Sequence, residues 1–478
     1  MATRGGRMRI FELSIVVALL GYIVNLLSPY RGEYLWFGFV PLLCLLAVAP
    51  HLIVEGYRWQ MLPIYSVLCA CLLYETVPSL ITDVQVQYVA GLVALCCLGV
   101  GIVLSTAFPV FQLPPPTGPN AVGTQIRHLI DGNRRYSADP SSPRELMVQI
   151  WYPAAASPRG RVAPYRESVT TTLQDARFSL VKTHSIFDAP LAGSQTRYPL
   201  LLYAPSWNGM RTENTLLAEE LASHGYIVAA IDHPYSSLAT AFPDGRVVRT
   251  KLLDEDFYSS EAAFSAFLKT AEVQIKIRTD DVRLVLDTFE DFDRADPEGL
   301  LTNHLDLDHT GIFGFSLGGG VAAQASLLDR RLKACVNMDG LMAGESLERG
   351  TIAPLFVMSE AAPPSPSSIP DASPSTRREL ALEWEQFVQM RKLFTTYGGY
   401  WLTIPKAKHF NFSDYPFSSP LRIFNLSGPI VPINAARSIS RYALAFFDQH
   451  LKRIDQSLLT GKDPGFERST GLTLSPIR

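Results

Sequence analysis

The N-terminal part of the chain is a series of apolar segments. Four of them, residues 10–27, 34–54, 61–80 and 88–108, approach the roughly 20 residues that a helix needs to cross a bilayer. The third is the weakest, because Pro63, Glu75 and Pro78 interrupt it. Residues 1–111 are therefore expected to form a membrane region with three to four transmembrane helices. A cleaved signal peptide is disfavoured, since apolar segments recur after the first one.

The basic residues predict the orientation of this region. Arg4, Arg7 and Arg9 precede the first apolar segment, and Arg58 follows the second. Lys and Arg are enriched in cytoplasmic loops. We expect a multi-pass protein whose C-terminal domain lies in the cytoplasm, which four crossings would produce. Three crossings would place that domain on the opposite side.

The hydrophobic pattern changes after a proline-rich stretch at residues 112–124. Prolines fix φ and remove backbone donors, so this stretch is predicted to be a stiff, extended linker. In residues 125–478, short apolar runs typical of strands alternate with helical patterns. This alternation predicts an α/β fold, in which a mostly parallel sheet carries helices on both faces.

One helical pattern, at residues 376–396, places Trp384 and Phe387 on a single apolar face. Packing of this face onto the sheet is the favoured expectation, because such stripes are usually core. A lid or a membrane-facing flap is the alternative.

Composition narrows the possible partners. The net charge of -3 gives the chain no basic bias, so a nucleic-acid partner is not expected. A mean hydropathy of +0.12 fits a chain that lies partly in lipid. Only Cys335 follows the apolar region, so the C-terminal part can form no internal disulfide. No cysteine has zinc-site spacing to histidines, and no metal or cofactor is expected.

The strongest chemical motif is Gly-Phe-Ser-Leu-Gly at residues 314–318, between a predicted strand and a predicted helix. This is the context of a nucleophile elbow, in which a tight turn projects a serine hydroxyl above the sheet. Gly314 and Gly318 supply the small neighbours that such a turn needs. Ser316 is therefore the candidate nucleophile of an α/β-hydrolase.

A nucleophilic serine needs a base, and an acid that orients the base, in the chain order serine, acid, histidine. His409 follows a predicted strand and is the candidate base, whereas His450 lies in a terminal helix and is expected to be solvated. Asp339 and Glu360 both end predicted strands at the edge where open α/β sheets bind ligands. Position alone leaves both open as the acid and slightly favours Asp339.

The oxyanion of an acyl-transfer intermediate needs two backbone N–H donors. One is expected from Leu317, directly after the nucleophile. The other should come from the loop after the strand at 198–204, from Trp207, Asn208 or Gly209. Trp207 is alternatively a pocket wall that donates nothing.

These motifs together resemble the platelet-activating factor acetylhydrolase family of the plasma, or isoform II, type and its bacterial esterase relatives. The similar stretches lie between residues 114 and 451, and include the elbow, Met-Asp-Gly at 338–340 and His-Phe-Asn-Phe-Ser-Asp at 409–414. The resemblance implies the α/β-hydrolase fold, with Ser316 as nucleophile, Asp339 as acid and His409 as base.

The same resemblance implies the Leu317 amide as one oxyanion donor. The family usually has Ser-His-Gly in the second loop, with the donor on the next residue. Ser206 matches that serine, and this alignment makes Gly209 the second donor. Trp207 and Asn208 depart from the pattern, and the bulk of Trp207 is expected to narrow the acyl pocket.

The expected protein is thus a membrane-anchored serine esterase or lipase. Tethering near a bilayer raises the local concentration of lipids, and the resemblance implies a short-acyl phospholipid or another lipid ester as substrate. A broad carboxylesterase for soluble esters is one alternative. A catalytically silent α/β-hydrolase that serves as a receptor or scaffold is the other.

Overall fold

A computed structural model describes residues 9–28, 38–77, 82–136, 139–156, 158–172, 175–193, 196–252, 257, 259–360, 363, 365, 368–369, 373–460 and 473–477. The chain divides into two compact units. The smaller comprises Met1–Gln112, Pro164–Lys182 and Phe417–Asn425, and the larger comprises Leu113–Ala163, Thr183–Pro416 and Leu426–Arg478. These units differ from the expected domains, because two segments from beyond residue 124 belong to the smaller one.

The smaller unit is helical. Its helices are α1 (Ile10–Leu27), α2 (Val40–Pro50), which a π-helical turn (His51–Glu55) continues, α3 (Leu62–Thr76) and α4 (Val84–Ala107). Of its described residues, α1 and α4 alone form helices long and apolar enough to cross a membrane. Within the segments predicted at 34–54 and 61–80, the described residues form the shorter helices α2, which the π turn continues, and α3. Residues 34–37 and 78–80 of these predictions lie outside the described part of the chain.

Apolar side chains on these helices are unusually exposed. Val17, Leu43, Leu46, Val93 and Val103 expose 59%, 61%, 65%, 56% and 63% of their surface. Helices that are apolar on all sides are typical of a lipid environment.

An ion pair lies inside the smaller unit. Arg58 is buried and donates to both carboxylate oxygens of Glu12, at 2.8 and 2.5 Å. Its charge is therefore paired inside the helical unit. Because Arg58 is buried there, it does not mark a cytoplasmic loop, and Arg4, Arg7 and Arg9, which precede α1, are the basic residues left as the orientation signal.

The larger unit is built on an eleven-stranded sheet. The strands of this unit are β1 (Ala121–Arg135), β2 (Pro143–Ala154), β3 (Val162–Pro164), β4 (Lys182–Phe187), β5 (Tyr198–Ala204), β6 (Ile227–Asp232), β7 (Ala239–Ala241), β8 (Val247–Arg249), β9 (Leu305–Phe315), β10 (Leu332–Met338), β11 (Leu355–Ser359), β12 (Gly399–Thr403) and β13 (Thr473–Ile477). The remaining helices of the chain are α5 (Thr215–Ser223), α6 (Glu261–Ala295), α7 (Leu317–Leu328), α8 (Glu345–Arg349), α9 (Pro374–Tyr397), α10 (Arg422–Asn425, in the smaller unit) and α11 (Pro432–His450).

The sheet has the strand order β13-β12-β11-β10-β9-β5-β6-β2-β1-β4-β3, and β7 pairs with β8 in a separate ribbon. Strands β6, β5, β9, β10, β11 and β12 run parallel. Alternate residues of β5 contribute to apolar cores on the two faces of the sheet. This is the predicted α/β-hydrolase fold, and it brings the carboxyl ends of β5, β9 and β10 together at one edge.

Two further segments make specific contacts within the larger unit. The proline-rich segment lies on α5, where the Thr117 N–H donates to Glu220 at 2.8 Å and the Gly118 N–H to Ser223 Oγ at 3.0 Å. On α9, Phe387 and Phe394 contact the ring of Trp401 in β12. The apolar face of α9 therefore packs on the sheet, as the sequence pattern favoured.

Candidate active site

Ser316 lies on a strained turn between β9 and α7. Its φ of 56° and ψ of -124° are rare for a residue with a side chain. A Cβ on Gly314 would lie 2.0 Å from the Gly318 carbonyl oxygen, and one on Gly318 would lie 2.0 Å from that of Ala204. Both positions require glycine for this close approach, so the local sequence specifies the elbow.

Three side chains form one chain of hydrogen bonds at the carboxyl edge of the sheet. The His409 Nε2 lies 2.9 Å from Ser316 Oγ, and its Nδ1 lies 2.6 Å from Asp339 Oδ2. These are distances at which an imidazole can take the serine proton while a carboxylate holds its other nitrogen. The structure thus brings together the candidate nucleophile, acid and base that the sequence indicated.

A turn directly after β10 places Asp339, the candidate acid. Asp339 has a φ of 51°, and its N–H donates to the Met358 carbonyl at 2.7 Å. Its second carboxylate oxygen accepts the main-chain N–H of Glu360 at 3.0 Å. The Glu360 side chain lies instead beside Lys408, at 3.4 Å. Glu360 thus contacts the acid through its amide, and its carboxylate does not bond His409.

His409, the candidate base, lies on a loop after β12, and hydrogen bonds from Asn411 stabilise this loop. The side-chain oxygen of Asn411 accepts the N–H groups of Lys408 at 2.8 Å and of Gly428 at 2.7 Å. Burial lowers the pKa of His409, but the hydrogen bond and the negative charge of Asp339 outweigh it and raise that pKa above its ordinary value. His409 therefore accepts a proton more readily than a free histidine.

His450 differs from its expectation. It ends α11 with its ring against Tyr400 and Phe446, and burial lowers its pKa. It is thus packed rather than solvated, because α11 lies along the sheet. His409, not His450, is hydrogen-bonded to Ser316 and is the candidate histidine of the site.

Hydrogen bonds hold the loop after β5 and engage the amides of Ser206 and Gly209. The Gly209 N–H donates to the Ser206 carbonyl at 3.0 Å, and Asn208 forms a short parallel bridge with Ser237. Gly209 is therefore already paired inside the loop, contrary to the expectation that it donates to an oxyanion. The Trp207 N–H has no acceptor among the described residues. The Leu317 N–H belongs to the first residue of α7, where no helical acceptor exists.

Two buried charged residues hold this loop, and the sequence pattern did not predict their role. Glu213 accepts the Ser206 N–H at 3.0 Å and the Ser206 hydroxyl at 2.6 Å. Burial raises the pKa of Glu213. Arg278 of α6 donates to the carbonyls of Pro205 and Ser206 at 2.8 and 2.9 Å. Arg278 on the buried face of the amphipathic helix α6 was the available signal, but the carbonyls that it contacts lie about 70 residues away in sequence.

An aromatic cluster lies beside the same loop. The Trp207 ring lies 5.2 Å from that of Phe267 and 5.8 Å from that of Phe257, and the two phenylalanines stack at 4.1 Å. This cluster forms an apolar wall next to the residue whose amide is free.

Metal-binding potential lies elsewhere. In the described residues, Glu12, His51 and Glu55 of the smaller unit form the one group of His, Cys, Asp and Glu atoms close enough to share an ion. Glu12 already accepts hydrogen bonds from Arg9 and Arg58. Two guanidinium groups on a carboxylate oppose a cation there, so this group is better described as an ion-pair network.

Comparison with known proteins gives consistent similarities. The sequence profile of the family described as platelet-activating factor acetylhydrolase, isoform II, matches residues 136–463. A probable 1-alkyl-2-acetylglycerophosphocholine esterase of Arthroderma benhamiae is 25% identical, over 77% of this chain and 95% of that protein. The platelet-activating factor acetylhydrolase of Canis lupus familiaris is 24% identical, over 62% of this chain and 68% of that protein. A solved ferulic acid esterase from Streptomyces cinnamoneus is similar with a TM-score of 0.60 and 27% identity, covering 77% of this chain and 99% of that one.

Proposed function

The chain belongs to the platelet-activating factor acetylhydrolase isoform II family and is an ester hydrolase, and we propose that it acts through a Ser316–His409–Asp339 triad. The observation that carries this proposal is the hydrogen-bond chain of 2.9 and 2.6 Å through His409. The strained elbow at Ser316 supports it, since strain of this kind persists at functional sites.

The proposed reaction is a two-step acyl transfer. Ser316 Oγ attacks the ester carbonyl carbon while His409 Nε2 takes the hydroxyl proton. Asp339 holds the Nδ1–H and stabilises the imidazolium. The intermediate collapses, the C–O bond to the alcohol breaks, and His409 returns the proton to that alcohol. Water then attacks the acyl carbon while His409 takes its proton, the bond from Ser316 Oγ to the acyl carbon breaks, and His409 returns the proton to Oγ as the acid leaves.

The proposed oxyanion donors are the N–H groups of Leu317 and Trp207. Trp207 replaces Gly209 in this role, because the Gly209 N–H is paired with Ser206. Hydrogen-bond donors aimed at the charge that develops on the oxyanion usually make the largest single contribution to lowering the barrier in such sites.

The proposed substrate is a lipid ester with a short acyl group, such as an acetylated phospholipid. Two similar proteins carry names that specify an acetyl ester of this kind. The aromatic wall of Trp207, Phe257 and Phe267 supports a short acyl chain. A soluble ester is the competing substrate, and the named ferulic acid esterase is the relative that favours it.

We further propose that the protein is membrane-associated through α1 and α4. Their length and the exposed apolar side chains of the helical unit support this. Two crossings return a chain to its starting side. Arg4, Arg7 and Arg9 precede α1, so both ends of the pair are proposed to face the cytoplasm.

Labelling with a fluorophosphonate probe tests the triad. We expect the full-length protein to be labelled and Ser316→Ala to be unlabelled. Ser326→Ala removes another buried hydroxyl, on α7, and should be labelled like the wild type. Equal labelling of Ser316→Ala, or none of the wild type, would reject the proposed mechanism.

A substrate panel then tests the substrate class. Vesicles or micelles that contain 2-acetyl phospholipids should be hydrolysed with higher kcat/KM than soluble acetyl and feruloyl esters. A preference for a soluble ester would assign the protein to the competing class.

A further inference from the structure

Arg278 is a fully buried cation whose hydrogen bonds go to no carboxylate in the described part of the chain. Its five contacts are to main-chain carbonyls and to one hydroxyl. Burying a charge is costly unless its donors are satisfied. A buried guanidinium that serves neutral oxygens is therefore an unusual element of the fold.

Its acceptors are concentrated around one loop. Nη1 donates to the carbonyl oxygens of Pro205 at 2.8 Å and Ser206 at 2.9 Å. Nε and Nη2 donate to the Ser236 hydroxyl at 3.0 and 2.6 Å, and Nη2 also to its carbonyl at 3.1 Å. Ser236 lies next to Ser237, the bridge partner of Asn208. Arg278 thus joins α6 to both sides of the loop that carries Trp207.

Because a peptide group is planar, the contact of Arg278 with the Ser206 carbonyl also fixes the direction of the Trp207 N–H. In a trans peptide the C=O and the N–H point in opposite directions. No cis peptide occurs among the described residues, so the carbonyl of Ser206 and the N–H of Trp207 are antiparallel. Whatever holds the Ser206 carbonyl therefore sets the direction in which the Trp207 N–H points.

We infer that Arg278 is a positioning residue of the oxyanion hole, which aims the Trp207 N–H at the reacting carbonyl oxygen by holding the Ser206 carbonyl. This inference rests on the proposed function. Arg278 touches neither substrate nor nucleophile in it, and it acts through the Ser206–Trp207 peptide.

The other side of Ser206 is held in the same way. Glu213 accepts the Ser206 N–H and hydroxyl, while Arg278 and the Gly209 N–H share its carbonyl. Both peptide groups of Ser206 are thus restrained, which is the preorganisation that an oxyanion hole requires. Burial lowers the pKa of Arg278 to about 10 against the opposing charges of Asp281 and Glu213, so the guanidinium remains protonated at neutral pH.

Only a guanidinium fits this set of acceptors. Its fixed fork reaches the Pro205 and Ser206 carbonyls and the Ser236 hydroxyl at once. A lysine keeps the charge but lacks the planar fork, so Arg278→Lys is the conservative variant that tests geometry rather than charge. Arg278→Gln removes both.

The matched control is Arg144, another buried arginine of the same unit. Its Nε donates to Asp281 at 3.0 Å, and it makes no contact with the loop at 205–210 among the described residues. Arg144→Gln should lower thermal stability by removing a buried ion-pair partner, and should leave kcat within a few-fold of wild type.

The test uses the full-length protein with p-nitrophenyl acetate, and a trifluoromethyl ketone that forms an anionic hemiketal with a nucleophilic serine. We expect kcat of Arg278→Lys and Arg278→Gln to fall on the order of 10²-fold, with KM changed by less than about threefold, since donor aim matters most in the transition state. The affinity for the ketone should fall in parallel with kcat. Arg144→Gln should retain both.

A kcat and ketone affinity equal to wild type in Arg278→Lys would overturn the inference. So would an equal loss in Arg144→Gln, which would reduce Arg278 to a structural role. If Arg278→Gln does not fold, the kcat and ketone affinity of the folded Arg278→Lys protein decide the test. Failure of the proposed function is separate, since the wild type would then show no turnover that Ser316→Ala removes.

Discussion

The main-chain N–H of Asp414 donates to the carbonyl oxygen of Glu213 at 3.0 Å. Asp414 ends the loop that carries His409, and Glu213 holds Ser206 through its side chain. The Asp414 carboxylate also accepts the Leu216 N–H at the start of α5, at 3.2 Å. Hydrogen bonds therefore connect the loop of the base to the proposed oxyanion loop, although the two are far apart in sequence.

Removal of the Glu213 carboxylate should weaken this connection. Glu213→Ala leaves the buried Ser206 N–H without its acceptor, which costs about 1–3 kcal/mol. We expect a lower temperature of thermal inactivation and a reduced kcat. Glu213→Gln keeps an acceptor oxygen and should lose less of both, so equal losses in the two variants would contradict the role of the acceptor.

The two carboxylates near the base should differ sharply. Asp339→Asn is expected to lower kcat on the order of 10⁴-fold, because an amide favours the wrong imidazole tautomer. Glu360→Gln keeps its main-chain N–H on Asp339 and should lose less than about tenfold. Steady-state kinetics with one soluble acetyl ester decides between them, and the reverse order would make Glu360 the acid.

The pH profile should report on His409. Catalysis needs the neutral imidazole, so kcat/KM should rise with pH as His409 loses its proton. Because Asp339 raises the pKa of His409, the midpoint should lie above the ordinary value of 6.5. Residual activity of Asp339→Asn should show a midpoint at lower pH, and an unmoved midpoint would assign this limb to another group.

The Trp207 side chain should limit the length of the acyl chain that the site accepts, while only the Trp207 main-chain N–H takes part in catalysis. Trp207→Ala keeps the main-chain N–H and opens the wall formed with Phe257 and Phe267. We expect turnover of acetyl esters within about tenfold of wild type, and a gain for hexanoyl and longer esters. An unchanged chain-length profile would place the acyl group away from this wall.

Membrane association can be measured directly. The full-length protein should remain in the membrane pellet after alkaline carbonate extraction, because α1 and α4 present apolar side chains on most sides. In sealed inside-out vesicles, added protease should remove a C-terminal tag. Release by carbonate would reject insertion, and a protected tag would reject the proposed orientation.

The site shows where local patterns were sufficient. The elbow could be predicted because its glycines, its serine and the flanking strand and helix are contiguous. His409 followed from chain order and from its place after a strand. For the acid, position favoured Asp339 only slightly, and the 2.6 Å contact with His409 resulted from the turn after β10, which no local pattern specifies.

Other parts depended on contacts that a linear pattern does not contain. The alignment that favoured Gly209 missed that its N–H closes a turn onto Ser206. The sequence placed Arg58 in a loop, but its side chain is buried and pairs with Glu12. It placed His450 at the surface of a terminal helix, but the ring packs against Phe446 because α11 lies against the sheet.

The sequence by itself determined the α/β-hydrolase sheet, because strand periodicity and glycine requirements act over a few neighbouring residues, and with chain order it indicated the candidate nucleophile and the candidate base. The tertiary structure alone decided which amides of the loop after β5 are free, and which buried charges hold that loop. Each of these depends on hydrogen bonds between distant segments, such as Arg278 with Ser206, whose geometry exists only once the sheet and helices have packed.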